Sequence, residues 1–227
     1  MKIQAILFDL DDTLWPVAPV IQGAEQALQA WIAQHYPVIA EQYDVAAWRQ
    51  RRQEISVLDP RYAYDLWALR LDLLRQVFAE FGVTADAASE AMQVFAHARN
   101  QVDLYADVRP ALQVLQQRFR LGSISNGFAD LQQIGLAQHF EVMLAAHQEA
   151  CAKPDPRLFN KACEVLGLSA PEILFVGDDP EFDVAGAKAV GMQAAWLKRE
   201  DLPHTKPARV DADILVQDLQ QLLVYLL

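Results

Sequence analysis

A chain of 227 residues, 53% of them hydrophobic, is long enough to bury a full core, as one domain or as one domain carrying a large insertion. Its 30 acidic against 19 basic side chains leave a formal charge of −11, which supplies no basic excess for nonspecific nucleic-acid binding yet does not oppose a small phosphorylated ligand drawn in by a metal and a few local cations. No stretch has the apolar length of a membrane span, Met1-Lys2-Ile3-Gln4 does not open a signal peptide, and Cys151 and Cys163 show neither metal-ligand spacing nor a disulfide framework, so a cytoplasmic protein without membrane or nucleic-acid partners is expected.

The chain begins with an apolar run of strand length, Ile3 to Phe8, that leads straight into Asp9, Asp11, Asp12 and Thr13. If the extended geometry persists past Phe8, Asp9 and Asp11 point the same way and repel unless a cation or a shared proton lies between them. The alternative is a polar turn capping the next helix. From Trp15 to Tyr105 nothing reads as a buried strand, and the pattern predicts four helices: Val17 to His35, Asp44 to Val57, Asp59-Pro60 to Phe81 with Gly82 as its stop, and Thr84 to Val102. Trp31, Trp48 and Trp67 have the spacing of core residues in that bundle, whereas Arg61-Tyr62-Ala63-Tyr64-Asp65 reads as an entrance cluster or as one face of an amphipathic helix.

After Asp107, helices alternate with short apolar strands. Helices are predicted from Arg109 to Phe119, Asp130 to Gln138, Pro156 to Leu166 and Asp183 to Val190. Strands are predicted at Leu121 to Ser125, Val142 to Ala146, Ile173 to Val176 and Gln193 to Leu197, followed by a closing pair, Asp213 to Val216 and Leu219 to Leu226. Such alternation implies an α/β fold, a Rossmann-like parallel sheet with helices on both faces. The first strand has no partner before the bundle, so it joins this sheet. Residues 1–14 and 106–227 then form the core domain and residues 15–105 an inserted four-helix cap. The segment from Lys198 to Arg209 is the one loop long enough to be mobile.

An open parallel sheet binds ligands beyond the carboxyl ends of its strands. The residues there are Asp9, Asp11 and Thr13, then Ser125-Asn126-Gly127, then Lys153-Pro154, then Gly177-Asp178-Asp179 with Asp183 five beyond Asp178. Taken singly, these are an ordinary turn, a surface lysine and a capped loop. Their joint order argues for a site, with Asp12 and Asp179 as turn acids.

This ordered set resembles the four motifs of the haloacid dehalogenase-like hydrolase superfamily, and the helical stretch resembles that superfamily's inserted cap. Through Asp11-Asp12-Thr13-Leu14-Trp15, Pro19-Val20-Ile21 and the run from Gly177 to Trp196, the chain is similar to a bacterial branch that includes flavin-mononucleotide and riboflavin-pathway phosphatases. The resemblance implies a magnesium-dependent phosphatase acting on a small phosphate monoester of sugar, nucleotide or flavin type. In that scheme Asp9 is the nucleophile that forms an aspartyl-phosphate, Asp11 the acid and base, and Ser125 and the Asn126 amide hydrogen bind phosphoryl oxygens, while Lys153 neutralises charge. Asp9, Asp11 (through its carbonyl) and Asp178 hold Mg2+. Thr13 supports the turn, Asp183 braces Lys153 or holds a water, and Trp15 and Gly127 face the substrate, Trp15 by stacking.

Three alternatives stand beside this reading. A 2-haloacid dehalogenase uses the same kind of aspartate nucleophile but has no use for a metal or for an acid at the position of Asp11. Mutase chemistry would return the phosphoryl group to a sugar. A non-catalytic binding or regulatory protein would be marked by loss of Asp9, Asp11 or Lys153, all of which are present. Both a monomer and a homodimer fit the sequence.

Overall fold

The computed structural model describes residues 2–200 and 211–227; the loop expected from Lys198 to Arg209 lies mostly outside the described residues. The chain divides into two compact units, Met1–Pro16 with Asp103–Leu227, and Val17–Val102.

In the first unit, β1 (Ala5–Phe8), β2 (Arg120–Ser125), β3 (Val142–Ala145), β4 (Ile173–Gly177), β5 (Gln193–Leu197) and β6 (Ile214–Val216) form one sheet in the order β3-β2-β1-β4-β5-β6. Every pairing is parallel. The central strands are continuous apolar runs because a parallel sheet is covered on both faces, and no residue of β1 retains exposed surface. Gly122 is required where β2 crosses between its neighbours: a Cβ there would lie 2.3 Å from Val142 Cγ1 and 2.7 Å from Leu7 Cδ2.

Helices of this unit are α6 (Val108–Leu115), α7 (Leu131–Ile134), α8 (Ala146–Glu149), α9 (Pro156–Leu166), α10 (Gly186–Ala189) and α11 (Leu219–Leu226). Parallel crossovers are right-handed as a rule, so one series running outward toward β3 and another toward β6 put their helices on opposite faces. Accordingly α6 packs on α11, and α9 packs on α10. Gly186 permits the second contact, since a Cβ there would meet the Phe159 ring at 2.8 Å. The strand order reverses beside β1, so the crevice of a doubly wound sheet opens at the carboxyl ends of β1 and β4.

The second unit is helical: α1 (Val17–His35), α2 (Pro37–Gln42), α3 (Val45–Ser56), α4 (Leu66–Glu80) and α5 (Ala85–Arg99). α1 packs on α5 and α2, and α4 on α5 and α3. Four helices were expected, and two corrections follow. Pro37 starts a short α2 instead of merely ending α1. The third expected helix breaks in two, because Asp59 and Asp65 are both N-caps. Asp59 accepts the Arg61 N–H and opens a 3₁₀ turn at Pro60–Ala63, whereas Asp65 accepts the Ala68 N–H and starts α4. Arg61 and Tyr62 of that turn bond to Asp72 Oδ2 at 2.8 and 3.0 Å, which accounts for the cluster by local structure. Trp48 is buried, and Trp31 and Trp67 are half-buried.

Two expected helices of the α/β unit are also interrupted. Gly135, with φ 75°, ends α7 early. The stretch Pro180–Ala185 forms a π-helical turn before α10, and this wider turn carries Asp183 back to the strand ends.

Candidate active site

The site is assembled entirely within the α/β unit. Asp9 follows β1, and its amide donates to the Val176 carbonyl at 2.9 Å, continuing the β1–β4 ladder to the crevice. Its carboxylate forms an ion pair with Lys153 Nζ, which also lies 2.6 Å from Asp183 Oδ1. Lys153 is held by its main chain as well. The Asn126 side chain donates to the Lys153 carbonyl at 3.0 Å and accepts its N–H at 2.7 Å, so the segment after β2 clamps the one after β3.

On the β4 side, Thr13 Oγ1 donates to Asp178 Oδ1 at 3.1 Å, and the Trp196 indole donates to the Asp178 carbonyl at 2.8 Å. Asp183 Oδ2 accepts the Asp179 N–H at 3.0 Å. That bond needs a glycine before Asp178, because a Cβ on Gly177 would sit 2.2 Å from Asp183 Oδ2. Asp179 caps the following turn through the Glu181 and Phe182 amides. Asp12 takes a left-handed φ of 61°, which Asp tolerates, so both reside in turns.

Asp9, Asp11, Ser125, Asn126, Gly127, Lys153, Asp178 and Asp183 all line one cavity of about 170 Å³, together with Asp179 and Phe182. Ser125 is buried, and its Oγ accepts the Gly127 N–H at 2.9 Å, which fixes the turn after β2. Phe182 has no counterpart in the sequence reading. The π-helical turn that brings it to the cavity leaves no mark in hydrophobic periodicity.

Trp15 is the main correction. Expected to stack on a substrate, it has no exposed surface; its indole N–H donates to Asp11 Oδ1 at 2.8 Å. Its place immediately after the acidic turn is thus explained by holding a carboxylate, and burial of its ring anchors that bond.

The electrostatics are those of a crowded acidic pocket. Burial raises the Asp9 carboxyl well above its usual range, with Asp183 and Asp178 adding to the shift and Lys153 opposing it. Burial likewise pushes Asp178 up to about 7, assisted by Asp183 and Asp12. Burial works against the Lys153 ammonium, but Asp183 and Asp9 more than offset it and hold the lysine protonated.

Carboxylate oxygens of Asp9, Asp178 and Asp183 lie within 4.8 Å of one another. With one ammonium among three carboxylates, full ionisation leaves two negative charges uncompensated. An all-oxygen set with that excess fits a hard divalent cation. The expected set is the Asp9 and Asp178 carboxylates with the Asp11 backbone carbonyl; Asp183, expected to brace Lys153 or hold a water, joins Asp9 and Asp178 in the side-chain cluster and also bonds Lys153.

The family model for haloacid dehalogenase-like hydrolases matches residues 3–191. The 5-amino-6-(5-phospho-D-ribitylamino)uracil phosphatase YigB of Escherichia coli strain K12 is 32% identical over 92% of this chain and 90% of its own length. An (S)-2-haloacid dehalogenase of Xanthobacter autotrophicus is also 32% identical, over 87% of this chain and 76% of its own. The crystal structure of a 2-haloacid dehalogenase from Pseudomonas syringae pv. Tomato DC3000 matches with a TM-score of 0.90 and 35% identity, covering 99% of this chain and 98% of that one.

Proposed function

The chain belongs to the haloacid dehalogenase-like hydrolases, and from that premise we propose that it is a magnesium-dependent phosphatase that cleaves a small phosphate monoester through an aspartyl-phosphate on Asp9. The observation that carries this reading is the Asp11 carboxylate, fixed by the Trp15 indole in the same cavity as Asp9 and Lys153. Displacement of a halide from a 2-haloacid needs no proton on the leaving group. An alkoxide leaving phosphorus does, and a carboxyl group placed there supplies it. The excess charge of the carboxylate cluster supports the same choice, since an anionic phosphoryl group can enter only with compensating positive charge.

In this mechanism the Asp9 carboxylate attacks phosphorus, and the bond to the leaving oxygen breaks as Asp11 gives up its proton. Asp11 then takes a proton from a water whose oxygen attacks the aspartyl-phosphate, releasing inorganic phosphate and restoring both acids. Lys153 holds positive charge against Asp9 throughout, and Ser125 with the Asn126 amide hydrogen offers donors to the phosphoryl oxygens. Asp9, Asp178 and Asp183, with the Asp11 carbonyl, would hold Mg2+, which when bound lowers the repulsion between the nucleophile and the phosphoryl dianion.

A cavity of about 170 Å³ suits a phosphoryl group and leaves the rest of the substrate outside it. The similarity to the E. coli enzyme favours a ribityl-type phosphate as that substrate. The test is phosphate release from p-nitrophenyl phosphate, flavin mononucleotide and a panel of sugar and nucleoside phosphates, with Mg2+ and with chelator, beside chloride release from 2-chloropropionate. Phosphate release that stops in chelator is the expected result. Chloride release in chelator without any phosphatase activity would overturn the proposal in favour of the dehalogenase reading, to which two of the similar proteins lend weight.

A further inference from the structure

The strand-end rule that locates the other site residues also applies to β5, where the second residue beyond Leu197 is Arg199. Arg199 is 4% exposed, and its guanidinium bonds to Thr13 and Asp107. Nε and Nη2 both donate to the Thr13 carbonyl, at 3.2 and 2.9 Å, while Nη1 donates to Asp107 Oδ2 at 2.7 Å. The same Asp107 oxygen accepts the Leu219 N–H at 2.6 Å, which ties the pair to the start of α11. The guanidinium carbon also lies 4.1 Å from the centroid of the Tyr105 ring, and the Tyr105 N–H donates to the Leu14 carbonyl at 3.1 Å. Two successive carbonyls of the acidic turn are therefore held from behind by one buried assembly.

Those carbonyls belong to the segment whose side chains matter most. The Thr13 hydroxyl faces Asp178, and the neighbouring Trp15 indole faces Asp11. The turn closes on itself through Asp12 N–H to the Trp15 carbonyl and Leu14 N–H to the Leu10 carbonyl, both at 2.7 Å, with Asp12 in the left-handed region. These two bonds and the two held carbonyls together fix the path of the turn. Buried ion pairs roughly break even against apolar packing, so what Arg199 and Asp107 contribute is orientation rather than net stability. Lysine could not substitute, because a single ammonium does not present two donor edges to a carbonyl and a carboxylate in one plane.

From this geometry we infer that Arg199 is a positioning residue for the hydrolytic reaction: through the Thr13 carbonyl it sets the Asp11–Trp15 turn, and so the placement of the Asp11 acid. The inference rests on the phosphatase reading of Asp11.

The leaving group provides the test. A nitrophenolate departs without a proton, whereas an alkoxide needs one. Arg199→Lys and Arg199→Ala are therefore expected to lose about tenfold or more in the single-turnover rate of Asp9 phosphorylation by flavin mononucleotide or the best alkyl ester of the panel, but no more than about threefold in that by p-nitrophenyl phosphate, while hydrolysis of the common aspartyl-phosphate, for which Asp11 is the base, should slow by the same factor with both. Free guanidinium should partly restore the alkyl-ester activity of Arg199→Ala. An independent reading is the indole ¹H–¹⁵N resonance of Trp15, assigned with Trp15→Phe, which should shift in both Arg199 variants because its bond to Asp11 is disturbed. Equal losses in the phosphorylation step on both esters, or an unmoved indole resonance in folded Arg199→Lys, would overturn the inference. A wild-type protein that cleaves neither ester sinks the phosphatase reading instead, and the indole resonance then decides the placement of the turn by itself.

Discussion

The two units bury charge in different ways. In the α/β unit the buried ionic groups are connected: Asp9, Lys153 and Asp183 form one chain of ion pairs, and Arg199 with Asp107 another, each touching a strand-end turn. In the helical unit, buried Glu25 pairs with Arg49, whose side chain is half exposed. Arg70, 6% exposed, lies 3.6 Å above the Phe95 ring centroid, and burial together with the nearby Arg52 charge lowers its pKa to about 9. Charge is thus packed among apolar surroundings in the bundle, whereas in the sheet unit it is organised around the crevice. The lesson is that burial alone does not mark function; mutual ligation of buried opposite charges at strand ends does.

The sharpest way to break this comparison is to replace one buried cation in each unit by methionine. Lys153→Met leaves Asp9 and Asp183 buried without their counter-charge, so turnover should fall by about a thousandfold or more, and urea unfolding should show a loss of about 3–5 kcal/mol. Arg70→Met should change unfolding free energy by no more than about 1 kcal/mol, because an apolar chain of similar length replaces an unfavourably buried charge. A large loss in Arg70→Met would erase the distinction.

A smaller effect is expected from Gly177→Ala. The new methyl group would collide with the Asp183 carboxylate, which must move away from Lys153. Turnover should drop by about ten- to a hundredfold, with a stability loss of about 1–3 kcal/mol. Unchanged kinetics would show that Asp183 does not need its place behind Gly177.

Next comes pH. The carboxyl of Asp178 titrates at about 7 in the fold against 3.8 unfolded, and Asp9 is shifted in the same direction. Between these values the folded state binds more protons than the unfolded one. In chelator, therefore, the melting temperature should fall as pH rises from about 4 to about 7. Asp178→Asn should flatten that slope, and Mg2+ should offset it at neutral pH by binding the ionised carboxylates. A melting temperature that rises over this range in chelator would contradict the acidic-pocket description.

The smallest effect concerns the bundle alone. Gly23 lies within α1 with no atom within 4 Å of an added Cβ. Gly23→Ala should therefore stabilise the protein by about 0.5–1 kcal/mol without altering turnover, as judged by urea unfolding. The two glycines, one filled by a carboxylate and one facing open space, sharpen the contrast between the units.

Most of the sheet was legible beforehand because a parallel strand buried on both faces reads as an uninterrupted apolar run. Ile173 to Val176 and Gln193 to Leu197 were located within a residue of β4 and β5. The bundle was less legible, because local cap chemistry competes at Asp59 and Asp65 and only packing chooses where a helix starts. At the site, the strand-end rule brought forward Asp9, Asp11, Ser125, Asn126, Lys153 and Asp178, and all of them line one cavity. Trp15 is not legible in this way, because an indole after an acidic turn looks the same in sequence whether it faces a ligand or, as here, a carboxylate. Arg199 carried a findable signal, its position just beyond β5, but an arginine in a charged stretch reads as solvated surface.

By itself, then, the sequence determined where the strands lie along the chain, that they run parallel, and which residues stand at their carboxyl ends, since these follow from local periodicity and from the alternation of strand and helix. Tertiary structure decided which groups meet. Lys153 and Asp9 are 144 positions apart, and Arg199 and Thr13 are 186. No local preference encodes such a pairing; it exists because the strands lie side by side in a sheet whose buried charges must find partners once water is excluded.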